Sequence, residues 1–286
     1  RWYEAGSTDA RFWASTSTSF SAYWLSDNGN FTFGFKSLGP QQYLLCIWMT
    51  ADTNKTPLWW PPIDNPVLSQ NGAILSFTQN GNLELFNGNL QIIWNAPTLN
   101  ASFAKLRNNG NLQLLDGTKE NILWQSFIDR RDTLIVNPRD DDSSYPLTSL
   151  LINQTVLLQS QSSYVSGRFH LEIDEYPNVS LHAFDSAHNV DFVYAFAQLN
   201  MTKDSLGLTG DGGKIYKVNS SMSTTLLRLD PDGNLRIYVW NTLLSTWEKT
   251  WQLIDDKCLI GSPCGAYGIC KENIDGSLGW RNERLT

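Results

Sequence analysis

Four short turn signatures set narrow limits on what this chain can become. Asn-Gly-Asn followed by Phe or Leu stands at residues 28–31, 80–83 and 109–112, and Asp232-Gly233-Asn234-Leu235 repeats it later. Gly and Asn accept the positive φ of tight hairpin turns, and Asn caps its own backbone, so each signature predicts a hairpin. After two of them a Trp closes the unit at a matching distance: Asn82 to Trp94 is 12 residues and Asn111 to Trp124 is 13. A repeat of about 30 residues ending in an apolar step and a Trp predicts one small sheet per repeat. Such a sheet cannot bury its inner face alone. Several must pack around a common axis, with the Trp side chains filling the middle.

Strand patterns run through the rest. Phe31, Phe33 and Phe35 alternate with smaller residues, as do Phe169, Leu171 and Ile173 with polar ones, and Leu235, Ile237 and Val239 follow the same period. A period of two places each set on one face of a half-buried sheet. No helical periodicity extends beyond about two turns. The expectation is an all-β chain of two domains, since 286 residues with 41% hydrophobic and 17% charged content can bury real cores.

A net charge of −7 and a pI near 4.9 disfavour nucleic acid and anionic membrane surfaces as partners. No run approaches the roughly 18 apolar residues of a membrane-spanning helix. The chain starts at Arg1 without an apolar leader, which reads as a mature or trimmed product. Seven Asn-x-Ser/Thr sequons, at Asn30, Asn54, Asn100, Asn153, Asn178, Asn200 and Asn219, spread through both halves and point to a glycosylated surface outside the cytosol. Cys46 lies in an apolar run and reads as a buried small hydrophobe. Cys258, Cys264 and Cys270 lack the Cys-x2-Cys steps of a zinc knuckle and read as a disulfide module. Four Cys allow three full pairings, and spacing does not choose among them.

Several of these segments together resemble a known family. WLSDNGNFTFGF (24–35), LLCIW (44–48), TPLWWPPIDNPV (56–67) and LWQSFIDRRDTL (123–134) are similar to the bulb-lectin region of plant G-type lectin, or S-domain, receptor-like kinases. Ser166-Gly167-Arg168-Phe169 looks like the opening of that family's second lectin-like unit, and CLIGSPCGAYGIC (258–270) resembles the start of its EGF-like module. The resemblance implies two tandem β-prisms of the monocot mannose-binding lectin type and a partial EGF-like segment. The expected boundaries are an N-terminal extension over 1–22, a first prism over 23–135, a linker over 136–150, a second prism over 151–256, and the partial module with a tail over 257–286. The EGF order would pair Cys258 with Cys270 and leave Cys264 unpaired or intermolecular. The acidic run at 140–142 lacks alternating ligand spacing, so it reads as a solvated hinge rather than a calcium loop.

The family's mannose motif, Q-x-D-x-N-x-V-x-Y, sets a carboxylate, amides and a phenol on sugar hydroxyls. The copy from Thr78 has Asn80, Asn82, Glu84 and Phe86; the copy from Arg107 has Asn109, Asn111, Gln113 and Leu115; the strand from Ser26 has Asn28, Asn30, Thr32 and Gly34. The late copy keeps most, with Asp230, Asp232, Asn234 and Tyr238, but puts Arg236 where the family has Val. The residual sugar-binding candidates are therefore Asp232, Asn234 and Tyr238, with Asn80 and Asn82 behind them. The same residues also read simply as hairpin turns. Trp59 and Trp60 read as core, although an exposed pair would suit stacking on a partner.

Catalysis is not expected. The three His, at 170, 182 and 188, come without an H-x-x-x-H pair or a G-x-S-x-G elbow, and Gly207–Gly213 lacks the Lys-Ser/Thr of a phosphate loop. No cofactor and no metal is expected either. Two binding readings follow. One is a receptor-like kinase ectodomain at the cell surface that recognises a protein, peptide or other extracellular ligand, with a partner receptor or a homodimer among its partners. The other is a free secreted lectin with residual mannose specificity. Loop surfaces rather than the fold set which ligand is taken.

Overall fold

The computed structural model describes residues 2–7, 11–14, 23–40, 42–69, 72–128, 131–136, 156–162, 165–174, 178–186, 189–202, 205–210, 215–219, 223–260, 269–272 and 278–281. Its only described helical element is a 3-10 turn over Lys257–Leu259; everything else is strand and connection, as an all-β chain requires. No described helix is long and apolar enough to cross a membrane.

The first half contains β1 (Tyr3–Glu4), β2 (Arg11–Ala14), β3 (Trp24–Leu25), β4 (Phe31–Gly39), β5 (Gln42–Met49), β6 (Val67–Ser69), β7 (Ala73–Phe77), β8 (Leu83–Asn87), β9 (Ile92–Asn95), β10 (Phe103–Leu106), β11 (Leu112–Leu115), β12 (Ile122–Gln125) and β13 (Thr133–Val136). The first twelve form three antiparallel four-stranded sheets, ordered β3-β4-β5-β6, β2-β7-β8-β9 and β1-β10-β11-β12. Each sheet contributes one Trp to a common hub. Trp59, bridged to Ile47 of β5, Trp94 of β9 and Trp124 of β12 meet edge to face at centroid separations of 6.0, 5.8 and 5.9 Å. That three-way contact is the axis the repeat predicts, and it buries three large rings in mutually favourable orientations.

Two strands lie inside the segment expected as an N-terminal extension, and both are integral to this prism. β1 pairs with β10 and β2 with β7, each completing a sheet of four. Tyr3 is buried, stacks on Trp24 at 4.5 Å, and accepts a hydrogen bond at its Oη from the Leu25 backbone N–H. Two- and four-residue strands carry too little periodicity to be read from sequence, and their identity comes from the edges they close.

The turn signatures behave as their chemistry requires. Gly29, Gly81, Gly110 and Gly233 all have φ between +73° and +88°, and each donates its N–H three residues back, to Ser26, Thr78, Arg107 and Asp230. Gly81 is constrained twice over, because a Cβ there would come within 2.3 Å of the Ala101 backbone N and O. Asn28, Asn109 and Asp232 each accept the N–H two residues on, the Asx capping expected of hairpins.

β5 is buried almost continuously because both of its faces are covered. Leu45 and Ile47 face the Trp hub, whereas Leu44, Cys46 and Trp48 form a second cluster with Trp60. Trp59 and Trp60 are 3% and 2% exposed, so neither is available for stacking on a partner. Burial pushes the thiol of Cys46, a free cysteine, up to about 12. The reactive thiolate is thus absent at neutral pH. Cys46 is expected to stay unalkylated by iodoacetamide at pH 8 in the native protein, as read on its own peptide by mass spectrometry, and to react once guanidinium unfolds the chain; native alkylation of the Cys46 peptide at a free-thiol rate would contradict this packing.

The second half is built differently. It contains β14 (Val156–Ser162), β15 (Val165–Ile173), β16 (Asn178–Asp185), β17 (Val190–Thr202), β18 (Ser205–Gly210), β19 (Ile215–Asn219), β20 (Thr225–Leu229), β21 (Leu235–Asn241) and β22 (Thr246–Gln252). Strands β14 to β19 form one six-stranded antiparallel meander, and β13-β20-β21-β22 form a four-stranded sheet. The described strands over the expected second prism, β14 to β22, therefore fall into two sheets in place of the three four-stranded sheets of a second prism. The reason is legible in the chain. Only one turn-and-Trp repeat occurs after residue 150, at Asp232 to Trp251, and it makes the one four-stranded sheet.

Of the expected linker over 136–150, Val136 is the last residue of β13, and the rest, including the acidic run at 140–142, lies outside the described residues. β13, at the end of the expected first domain, pairs with β20 and so ties the halves together. Its alternation splits the cores: Ile135 packs into the hub's cluster and Leu134 into that of the second half. Arg228 adds a polar tie, donating to the Pro57 carbonyl at 2.7 Å and to Thr133 Oγ1 at 2.8 Å. A short pair, β23 (Ile269–Glu272) with β24 (Leu278–Arg281), follows.

Candidate functional site

The late copy of the sugar motif is assembled on the turn between β20 and β21. Strand alternation lines up Asp230, Asp232, Arg236 and Tyr238 on one surface. Arg236 occupies the middle. Its Nη1 donates to Asp230 Oδ2 and Asp232 Oδ1, both at 2.7 Å, and its Nη2 donates to Asp232 Oδ2 at 2.6 Å. Tyr238 Oη donates to the same Asp230 oxygen at 2.6 Å. The forked guanidinium is matched to the Asp232 carboxylate, the strongest kind of charge-assisted pairing. Burial alone would raise the Asp232 carboxyl, but the Arg236 hydrogen bonds and the Asn234 N–H outweigh it and hold it below the usual range. Burial and the bond to Asp230 push the Tyr238 phenol up, so it remains a protonated donor.

Asn234 is not part of that surface. It is 1% exposed, donates from Nδ2 to the Ile254 carbonyl at 2.6 Å and accepts the Ile254 N–H at 3.1 Å. Both ends of its amide are used inside the chain, which corrects its reading as a sugar ligand. The structure thus brings Asp232 and Tyr238 together around an internal cation and turns Asn234 inward. The sequence shows a cation in place of an apolar residue; its folding back onto both carboxylates is a tertiary result.

The first-half copies are also occupied. Asn111 is buried, donating to Gln125 Oε1 at 2.8 Å and accepting from Ser126 Oγ and the Phe127 N–H. Arg107 Nε donates to Gln113 Oε1 at 2.6 Å. Asn82 is half-buried, with Nδ2 on Glu84 Oε1 at 3.3 Å and no partner on Oδ1. Asn80 is exposed at the lip of an open, mainly polar cleft of about 540 Å³, which also holds Glu4, Gln79 and the sequon residue Asn100. Of the seven sequons, Asn30, Asn54, Asn100 and Asn178 have described side chains, and all four are exposed. Those of Asn153, Asn200 and Asn219 lie outside the described residues. Cys258 is disulfide-bonded, with a partner outside the described side chains; the side chains of Cys264 and Cys270 lie there too.

A second polar constellation was missed by sequence reasoning. On the outer face of the six-stranded sheet, His170 Nε2 lies 3.3 Å and His182 Nδ1 3.1 Å from the same Asp191 Oδ2. The two imidazoles stack at 4.6 Å, and His182 Nε2 is 2.9 Å from Ser180 Oγ. The residues are 12 and 9 positions apart in sequence, so no linear motif exposes the cluster.

Two family models match the chain: the D-mannose binding lectin domain over residues 56–139 and the S-locus glycoprotein domain over 178–277. Among curated proteins, the G-type lectin S-receptor-like serine/threonine-protein kinase SD3-1 of Arabidopsis thaliana is 29% identical, covering 88% of this chain and 35% of that protein. LECRK2 of Oryza sativa subsp. indica, of the same description, is 27% identical over 81% of this chain and 31% of its own length. The chain spans about a third of the length of these relatives. Among solved structures, the two-domain, fetuin-binding Scilla campanulata agglutinin covers 81% of this chain and 99% of its own, at 13% identity and a TM-score of 0.25. The chain carries a D-mannose binding (bulb-type) lectin domain and an S-locus glycoprotein domain in tandem, and its homologues over most of its length are plant G-type lectin S-receptor-like kinases.

Proposed function

We propose that this chain is the non-catalytic recognition part of a receptor-like kinase, facing the outside of the cell and binding a protein or peptide ligand rather than mannose. The observation that carries the reading is the Arg236 clamp. A sugar hydroxyl at the late motif would have to displace three charge-assisted hydrogen bonds already made within the chain. Each such bond is worth roughly 1.5–3 kcal/mol, whereas millimolar binding of a ligand amounts to only about 4 kcal/mol in total. In the first half, Asn111 is buried in its own network, and a glycan on Asn100 would share the cleft with Asn80. These features also weigh against the free mannose lectin.

The glycosylated chain is expected to pass unretarded through immobilised mannose. On a surface it is expected to bind a secreted peptide or protein fraction in a manner that protease treatment of the fraction abolishes and 100-fold excess mannose does not. Retention on the mannose matrix with elution by free mannose would overturn the proposal.

A further inference from the structure

We propose that His170, His182 and Asp191 form a surface site for a borderline divalent transition-metal ion, for which Zn2+ is the natural probe. The ligand atoms are an imidazole Nε2, an imidazole Nδ1 and a carboxylate oxygen, the donor set such ions take. Tetrahedral bonds of about 2.0–2.1 Å place ligand atoms about 3.3–3.4 Å apart. The two nitrogen-to-oxygen separations here are 3.3 and 3.1 Å, and all three ligand atoms lie within 4.8 Å of one another. Ser180 Oγ holds the other ring nitrogen of His182, the outer-shell contact that orients a ligating imidazole. The side chains of His170 and His182 are 26% and 15% exposed and that of Asp191 42%, which leaves the outer coordination position open to water or to a donor from a partner.

The backbone assembles this site by a specific device. His170 on β15 sits directly opposite His182 on β16. Between β16 and β17 the register shifts, so that Leu181 pairs with Ala195 but His182 with Val193, and Tyr194 is the extra residue. A one-residue slip moves every following side chain to the other face. Without the bulge, Asp191 would point to the side on which Ala195 and Ala197 are buried; with it, Asp191 joins His182 outside. Tyr194 is pinned inward by its hydroxyl, which donates to the Gly233 carbonyl. Bulges that re-aim a side chain in this way are concentrated beside functional sites.

The test is a Co2+ titration of the glycosylated, chelator-treated chain bearing no polyhistidine tag. The expected result is visible d–d absorption of low-symmetry, four- or five-coordinate Co2+, saturating at one ion per chain and discharged by Zn2+. His170→Gln with His182→Gln is expected to abolish the bands, and His188→Gln, at the chain's third histidine, to leave them. Should the double variant fail to fold, Asp191→Asn, a nearly isosteric change at an exposed position, is expected to weaken Zn2+ binding at least tenfold with the melting temperature of the metal-free protein unchanged. Absence of a Co2+ spectrum in the wild-type chain, its persistence in the folded double variant, or unaltered Zn2+ affinity in Asp191→Asn would each overturn the proposal and leave a hydrogen-bonded triad only. None of these outcomes bears on mannose retention, so the two proposals stand or fall separately.

Discussion

Trp124→Ala is expected to destabilise the chain by about 3–5 kcal/mol, the range for removing a buried aromatic from a core that cannot fully collapse. Trp124 is 3% exposed and meets both Trp59 and Trp94 edge to face, at 5.8 and 5.9 Å. Each aromatic pair adds about 0.5–1.5 kcal/mol beyond the area it buries, and the cavity would open where all three sheets converge. The measurement is the urea midpoint at constant slope, with Trp2→Ala as the contrast. Trp2 is only partly buried and packs at the rim, against Phe103 at 6.0 Å and under Lys105. Its removal is expected to cost about 1 kcal/mol or less, as changes away from core features usually do. Equal effects of the two substitutions would mean that the Trp hub does not organise the prism. Because Ile135 and Leu226 belong to the same buried cluster as the hub, the loss is expected to appear as a single transition of both halves.

What the sequence made legible was local chemistry repeated often enough to count. The four turn glycines and the Asx caps of Asn28, Asn109 and Asp232 act over a few residues, and the structure uses them as read, as it does Trp94 and Trp124, which close two of the repeats. Three things depended on distant partners and were illegible for that reason. β1 and β2 are strands only because β10 and β7 present open edges to them. The six-stranded meander has no turn signature that would divide it. The outward turn of Asp191 depends on one inserted residue, Tyr194, whose place in the ladder is a property of the β16–β17 pairing. The sugar motif shows the same limit in reverse: its residue types survive at Asp232, Asn234 and Tyr238, but their partners are Arg236 and Ile254.

The inward Asn of the repeats supplies the second large effect, with an internal control. Asn234→Ala is expected to cost about 2–4 kcal/mol, because it strands the N–H and carbonyl of Ile254, and a buried group left without its partner costs about 1–3 kcal/mol. Asn82→Ala is expected to cost less than about 1 kcal/mol on the same scale, although it occupies the equivalent position. The repeats explain the difference residue by residue. Leu83, Leu112 and Leu235 each accept, at their carbonyls, the N–H of Ala96, Ser126 and Leu253. The next residue then donates to the Asn side chain: Phe127 to Asn111 and Ile254 to Asn234. In the remaining copy the next residue is Pro97, which has no N–H, and Asn82 Oδ1 is left without a partner. Pro97→Ala would restore the donor, yet it is expected to be close to neutral, since a regained hydrogen bond of about 1 kcal/mol is offset by the roughly 0.4–1 kcal/mol that proline contributes by restricting the unfolded chain. In Pro97→Ala, Asn82→Ala should become about 1 kcal/mol more costly than in the wild-type background, the coupling a double-mutant cycle reads. An Asn82→Ala effect as large as that of Asn234→Ala in the wild-type chain, or a cycle with no coupling between Asn82 and Pro97, would remove this account of the repeat.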